Sequence, residues 1–311
     1  VPRFAKIYDF YDTGDLVNDI FPIIVTGTAQ GVPLFVIASG LTLIYGVMHV
    51  LNFAHGAYFM IGAFVFAGRF TNENLLQYLL LIALGGAVVA VVGLLCEVLV
   101  FRRLYEAGSQ VSLLAAFALG LMLEGGTRMV WGGVPRTTQY PDTFRGATEL
   151  FGARISIYDL VLIAAGLIIA IGLFVMIRLT TFGRQMRAVA QDRTMSRALG
   201  VRSKRIATMV FVLGAFLAGA AGALTAPTTS VDLGLGSSYI IPAFAVIIVG
   251  GVGSVEGALI ASLVLNISES ALFTYAPALS GFSFYIIVAV ILMVRPQGLF
   301  GGHARTAGLA R

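Results

Sequence analysis

Asn266 and Glu269 stand three residues apart in the apolar run 255–276, so on a helix both project from one face, with Ser262 and Ser270 beside them. An ionisable group inside such a run is a functional candidate by default. The pair is the first choice for a polar patch on a path through hydrocarbon; the competing reading pairs the glutamate with a neighbouring helix or subunit. A second polar point is the break in IYGVMHVLNFAHGAYFMIGAFV, where His49, Asn52 and His55 gather. Asn52 and His55 are path candidates there, against the alternative of a histidine hydrogen-bonded to freed backbone. Glu256 follows Ser254 at a helix start, where the helix dipole favours a carboxylate. Glu124 and Arg128 are four apart and can pair. Both of these features read as structural.

Enzymatic chemistry needs a convergent set of nucleophile, base or metal ligands. With three histidines, one of them His303 near the end, and the single cysteine Cys96, no catalytic set and no metal site can be assembled from the spacing. Nor is there a phosphate-binding loop, G-x-x-x-x-G-K-[ST], since neither Lys6 nor Lys204 follows such a run. If ATP drives this chain, it acts on another one.

The elements that must position these residues follow from hydropathy. The chain is 58% hydrophobic and 11% charged, with a mean hydropathy of +0.93, where soluble domains carry about a quarter charged residues. It reads as an all-α, polytopic integral membrane protein. Stretches near the ~20 residues that span a bilayer fall at 30–49, 53–70, 75–101, 111–130, 157–179, 206–226, 237–253, 255–276 and 282–297, about nine segments, two of them short or broken. Residues 1–29 form an acidic N-terminal segment, 30–302 the membrane domain and 303–311 a tail.

The interval 180–205, TTFGRQMRAVAQDRTMSRALGVRSKR, concentrates seven bases against the single acid Asp192. By the positive-inside rule it is cytoplasmic, which places the N-terminus outside and the C-terminus in the cytoplasm. Arg102, Arg103, Arg295, Arg305 and Arg311 then fall inside as well. The net charge of +5 thus marks topology and contact with membrane lipids, with no nucleic-acid partner. Within the interval, Asp192 can cap a short helix over 193–199 and Gly200 can end it. Ser203 can cap the next span. Met195, Ala198 and Leu199 offer a small apolar surface among bases, suited to a groove on a partner; a solvated loop near anionic headgroups is the alternative.

The turn-rich segment 131–156 leaves room for a short hairpin and divides the chain in two. His55-Gly56-Ala57 and Glu256-Gly257-Ala258 occupy like places in the two halves, a weak parallel repeat. Gly56, Gly250, Gly251 and Gly253 mark the two breaks. Glycine-rich breaks in corresponding halves point to a transport pathway.

The segments QDRTMSRALGVRSKRIATMVFVLGAFLAGAAGAL, GLTLIYGVMHVLNFAHGAYFMIGAF, GGVGSVEGALIASLVLNISE and VRPQGLFG together resemble the permease subunits of branched-chain amino acid ABC importers, over most of residues 30–302. The likeness is to the first, shorter of their two permease types. It implies a second related permease, two cytoplasmic ATPase subunits that bind ATP and magnesium, a periplasmic solute-binding protein, and residence in a bacterial inner membrane. No cofactor is expected on this chain.

The resemblance further implies that the short helix is the coupling helix, assigning Asp192, Arg193, Met195, Arg197, Ala198, Leu199 and Gly200 to ATPase contact. Where many such permeases carry a glutamate and alanines ahead of the glycine, this chain reads Thr194-Met195-Ser196-Arg197-Ala198-Leu199-Gly200 and keeps one alanine and the glycine. The implied cargo is a small polar solute, an amino acid of branched-chain type or a related amide or acid, moved by alternating access between subunits. An ion-gradient-driven secondary transporter is the alternative; it calls for several buried charges near the midplane, and only Glu269 offers one.

Overall fold

A backbone in hydrocarbon must satisfy its own amides, so a chain this apolar closes into helices. The computed structural model describes residues 13–70, 75–104 and 108–300. The expected tail 303–311 and the first twelve residues, which include Lys6, lie outside that range, as do His303, Arg305 and Arg311. Among the described residues the helices are α1 (Thr13–Met48), α2 (His55–Ala67), α3 (Leu75–Cys96), α4 (Arg102–Leu104), α5 (Ser109–Trp131), α6 (Ile157–Leu179), α7 (Thr181–Gln191), α8 (Arg193–Ala198), α9 (Ser203–Thr225), α10 (Leu235–Gly250), α11 (Val255–Tyr275) and α12 (Ser283–Val294). A π-helical turn, Glu97–Phe101, joins α3 to α4.

Six of the described spans are long and apolar enough to cross a membrane, and α2, α10 and α12 are shorter. Three segments therefore fall short where two were expected. α12 ends at Val294, where Arg295 precedes Pro296 and adopts φ −137°. The first span also starts earlier than residue 30. Asp15, Asp19, Pro22 and Pro33 depress the hydropathy of its first half, but helices tolerate acids at their start, and in a bundle neighbouring helices compensate for proline. α7 is a further helix within an interval read as loop. Among the described residues the one sheet is the antiparallel hairpin Ala147–Leu150 and Ala153–Ser156, in which Ala147 pairs with Ser156 and Leu150 with Ala153. Its two-residue turn places Phe151 at φ 52° and Gly152 at φ 81°, the positive values that a tight hairpin turn requires.

α9 is the hub. Its glycines meet backbone: a Cβ on Gly214 would lie 2.7 Å from the Gly40 carbonyl of α1, one on Gly219 2.7 Å from the Gly85 carbonyl of α3, and one on Gly222 would overlap the Phe59 carbonyl of α2. Small residues allow this approach, and dispersion between close backbones replaces the hydrophobic drive that a bilayer cannot supply. Burial follows: 89% of the apolar window of α1 and 72% of that of α9 are enclosed, against 17% in α5 and in α6.

The two ends of the bundle differ. At the hairpin end, Arg136 pairs with Val231 across two connections, the Thr138 hydroxyl donates to the Ala226 carbonyl at 2.8 Å, and the Tyr158 hydroxyl donates to the Leu224 carbonyl at 2.7 Å. The opposite, basic end holds α7, α8 and the turns 49–54 and 251–254. The two halves do not pack alike. α10 and α11 form a hairpin in which Gly250 meets Gly257, whereas Gly56 of α2 packs on Gly236 of α10; the weak repeat does not extend to these contacts.

Overpacking a close contact costs about 1–3 kcal/mol. Gly219→Val is expected to lower the thermal unfolding midpoint of the protein in detergent, while Gly172→Val on α6, with nothing within 4 Å of a built Cβ, leaves it within error.

Candidate functional site

The best-defined local structure at the basic end is α8. Asp192 Oδ1 accepts the N–H groups of Thr194 and Met195, both at 2.8 Å, which serves two of the donors a helix start leaves open. At the other end the Gly200 N–H reaches the Arg197 carbonyl at 3.0 Å and the Val201 N–H reaches the Ser196 carbonyl at 2.9 Å. With Gly200 at φ 84°, this is a Schellman termination. Leu199 is the C-cap and the helix proper ends at Ala198. Ser203 does not cap the next span: Arg202 takes the cap position with no side-chain bond, and the Ser203 hydroxyl turns back to the Val201 carbonyl.

Of the α8 side chains, Ser196 is buried against the bundle and Arg193 partly so, while Arg197 and Ala198 are exposed. Met195 is 57% and Leu199 77% exposed. The platform beneath is α7. Thr180 caps it by accepting the Gly183 N–H at 3.1 Å, Met186 and Val189 are buried, and the Arg187 guanidinium donates to the Ile177 carbonyl.

At the hairpin end, Asn266 and Glu269 line one cavity of about 480 Å³ between α1, α6, α10, α11 and α12. The Asn266 amide donates to the Ser262 carbonyl at 2.8 Å, and Glu269 accepts the Gly281 N–H at 2.6 Å. Gln30, Asp159, Ser238 and Tyr140 also line it, and none of these was singled out from the sequence. Asp159, in the first turn of α6, resembles any acid at a helix start, and Gln30 is a lone amide in an apolar run. Burial, and after it the charge of Asp159, raise the Tyr140 phenol above its ordinary value, so it stays protonated and can donate.

A second cavity, of about 330 Å³ and mostly apolar, lies at the basic end between α1, α6, α7 and the start of α11. Arg178 of α6 and Glu256 of α11 meet on its rim at 2.8 Å. Glu256 thus has an ion-pair partner besides its place in the first turn of α11, where Ser254 caps by accepting the Gly257 N–H at 3.0 Å. Between the two cavities α1 and α11 are in close contact: Gly31 faces the Ser262 carbonyl at 3.2 Å from a built Cβ.

Asn52 and His55 lie elsewhere. Both are fully buried at the turn into α2, where Asn52 Oδ1 accepts the Ala54 N–H and its carbonyl accepts the His55 N–H, each at 3.1 Å. They order the break and do not line the cavity that holds Asn266 and Glu269. The four break glycines also divide. Gly251 and Gly253 turn the chain at φ 98° and 87°, while Gly56 and Gly250 are contact glycines. Glu124 and Arg128 form no ion pair with each other.

Sequence reasoning also passed over Glu97. It is fully buried, pairs with Arg102 at 2.9 Å, and Arg102 reaches the Thr208 hydroxyl of α9 at 2.9 Å. The π turn that carries it is a form that recurs at functional sites. In the sequence Arg102 stands only as a topology signal, and a glutamate five residues before it carries no helical-pair signature. Among the described residues no group of histidine, cysteine and acid side chains could hold a metal ion.

Loss of an N-cap costs about 1 kcal/mol, roughly fivefold in a local opening equilibrium. Asp192→Ala is therefore expected to speed amide hydrogen exchange in residues 193–200 about fivefold while leaving exchange in α9 unchanged, as read by mass spectrometry.

The family model described as branched-chain amino acid transport system, permease component, matches residues 23–294. The high-affinity branched-chain amino acid transport system permease protein LivH of Salmonella typhimurium is 28% identical over 289 residues, 88% of this chain and 93% of the relative. The corresponding protein BraD of Pseudomonas aeruginosa is 27% identical over 294 residues, 89% and 94% of the two chains. LivM of Salmonella typhimurium, a permease protein of the same-named system, is 26% identical over 288 residues, 85% and 67%.

Proposed function

The chain belongs to the permease-component family of branched-chain amino acid transport systems, and from that premise we propose that it passes a branched-chain amino acid, or a closely related small solute, from an external binding protein into the cell. It is a multi-pass permease subunit of an ABC importer. ATP hydrolysis is performed by separate subunits, and the family is not one of secondary transporters. That relatives of both LivH and LivM type carry one system's name supports a second, related permease beside this one.

The remaining assignments extend that membership. The basic end is cytoplasmic, the hairpin end external, and the membrane a bacterial inner membrane; the bases of 180–205 support this orientation. Two ATPase subunits, holding ATP and magnesium, act on the basic end. A periplasmic binding protein delivers solute at the hairpin end, and no cofactor is needed on this chain.

The observation that carries the mechanism is α8, a helix capped at both ends that exposes Met195 and Leu199 where a soluble surface would be polar. A two-turn helix is marginal on its own; its caps and the buried Ser196 hold it, and its apolar side chains need a groove on another chain. Arg193, Arg197 and Ala198 complete that contact surface. Only Val201 and Arg202 separate the C-cap and Gly200 from α9. A push on α8 therefore acts on the helix to which α1, α2 and α3 are packed. The Arg178–Glu256 pair gives the same motion a second route, from the end of α6 into α11, the helix that carries Asn266 and Glu269.

The solute path we assign is the α1–α6–α11 face, with the polar cavity as its outer mouth and the apolar cavity at its inner end. Asn266 and Glu269 supply polar contacts in the first. Asn52 and His55 act through the α1–α2 break.

Gly200→Val places a β-branched side chain at positive φ, which is strained. The expected result in proteoliposomes is ATP hydrolysis no longer matched by uptake; coupled uptake at the wild-type ratio would refute the role given to α8. Glu269→Leu is expected to slow uptake at least severalfold, with all subunits still recovered together; wild-type rates would remove it from the path.

A further inference from the structure

The outer helices α3, α5 and α6 each leave one side uncovered, and on two of them the middle of that side is hydrocarbon. α3 presents Leu76, Leu79, Leu80, Val91 and Leu95, and α6 presents Leu167, Ile168 and Ile171. Such faces suit lipid. α5 is different. Its core side is Ser112, Ala116, Leu119 and Thr127, and the side turned away carries Leu114, Phe117, Leu121, Glu124 and Arg128.

Those five residues are spaced 3, 4, 3 and 4 apart, the interval that keeps one seam of a helix facing a partner helix. Leu114 is 69%, Phe117 54% and Leu121 56% exposed. The seam then ends in an acid and a base that do not pair with each other. Beside them Gly125 has nothing within 4 Å of a built Cβ, so a second backbone has room to approach.

Glu124 lies seven residues from the end of α5 at Trp131, about 10 Å at 1.5 Å per residue, hence within a hydrocarbon layer about 30 Å thick. A carboxylate there is costly against lipid and persists where protein supplies a partner. One acid and one base on a seam are self-complementary across a two-fold axis. Two permeases of one family in the same orientation bring corresponding helices together in parallel, so that an acid on one faces a base one turn along on the other, as in flanking pairs of parallel coiled coils. The seam also borders a groove between α5, α2 and α10, to which Ser237 contributes a hydroxyl.

We propose that α5 is the face on which this permease docks the second one, Glu124 and Arg128 taking their ion-pair partners from the corresponding helix of that chain. The proposal rests on the reading of this protein as an ABC importer permease and adds the place and chemistry of the subunit contact.

The test uses the complete transporter, this chain co-expressed with the LivM-type permease and the ATPases of its own genome, in membranes. Benzoylphenylalanine replaces Phe117 on the seam or, as the control, the exposed Leu80 on α3, and adducts are identified by mass spectrometry after irradiation. The expected result is an adduct with the second permease from position 117 and none from position 80. In parallel, Glu124→Leu is expected to reduce the second permease recovered per tagged chain at least fivefold. Adducts from 117 confined to lipid or to the binding protein, or a second-permease adduct from 80, would overturn the proposal and leave the transport function intact. A wild-type complex that contains a single permease chain would overturn both.

Discussion

The structure depends on a single packing constraint, the contact of α9 with three other helices at backbone distance. Between Gly214 and Gly40, Gly219 and Gly85, and Gly222 and Phe59, no side chain intervenes. In a bilayer, burying an apolar side chain gains little over leaving it in lipid, so close backbone packing holds the bundle. The helix so fixed is also the one that leaves the basic segment. A displacement of α8 is therefore delivered to the centre of the molecule and not to a peripheral span.

Charge is distributed by the same solvent. Ionisable groups are few, and the structure gives several of them a partner: Glu97 with Arg102, Arg178 with Glu256, Asp142 with Arg145, and Glu269 on the Gly281 amide. Arg178–Glu256 is exposed on both sides, and pairs of that kind contribute at most about 1 kcal/mol. Such a contact can open and close at little cost, which suits a link between moving helices. Glu97 is enclosed, where removing one partner would strand a charge, and it ties α3 to α9 through Thr208 as a fixed joint. Among the described residues Glu124 and Arg128 have no such ion-pair partner, and that difference sets α5 apart from α3 and α6, whose uncovered sides are apolar.

Much was legible from the residues alone. Runs of uncharged apolar residues mark the spans, because hydropathy and length are local quantities. The caps of α8 were readable because Asp before a short helical run and glycine after it act within a few residues, and the hairpin in 147–156 was anticipated from turn residues for the same reason. Misjudged features were those where context overrides local signal: the early start of α1 through two prolines, α7 inside a basic interval, and Ser203, which donates backward and leaves the cap position to Arg202.

By itself the sequence determined that the chain is a helical membrane protein, that 180–205 flanks the membrane, that a capped helix lies within that interval, and that no phosphate-binding loop or catalytic set accompanies it. Each of these rests on composition or on spacing within about ten residues. Only the tertiary structure decided which polar residues share a cavity. It brought Asn266 and Glu269 together with Asp159, more than a hundred positions away, set Asn52 and His55 apart from them, and, among the described residues, left Glu124 and Arg128 without an ion pair. Proximity between distant segments is set by which helices can approach backbone to backbone, and that is a property of pairs of helices that no single run of residues contains.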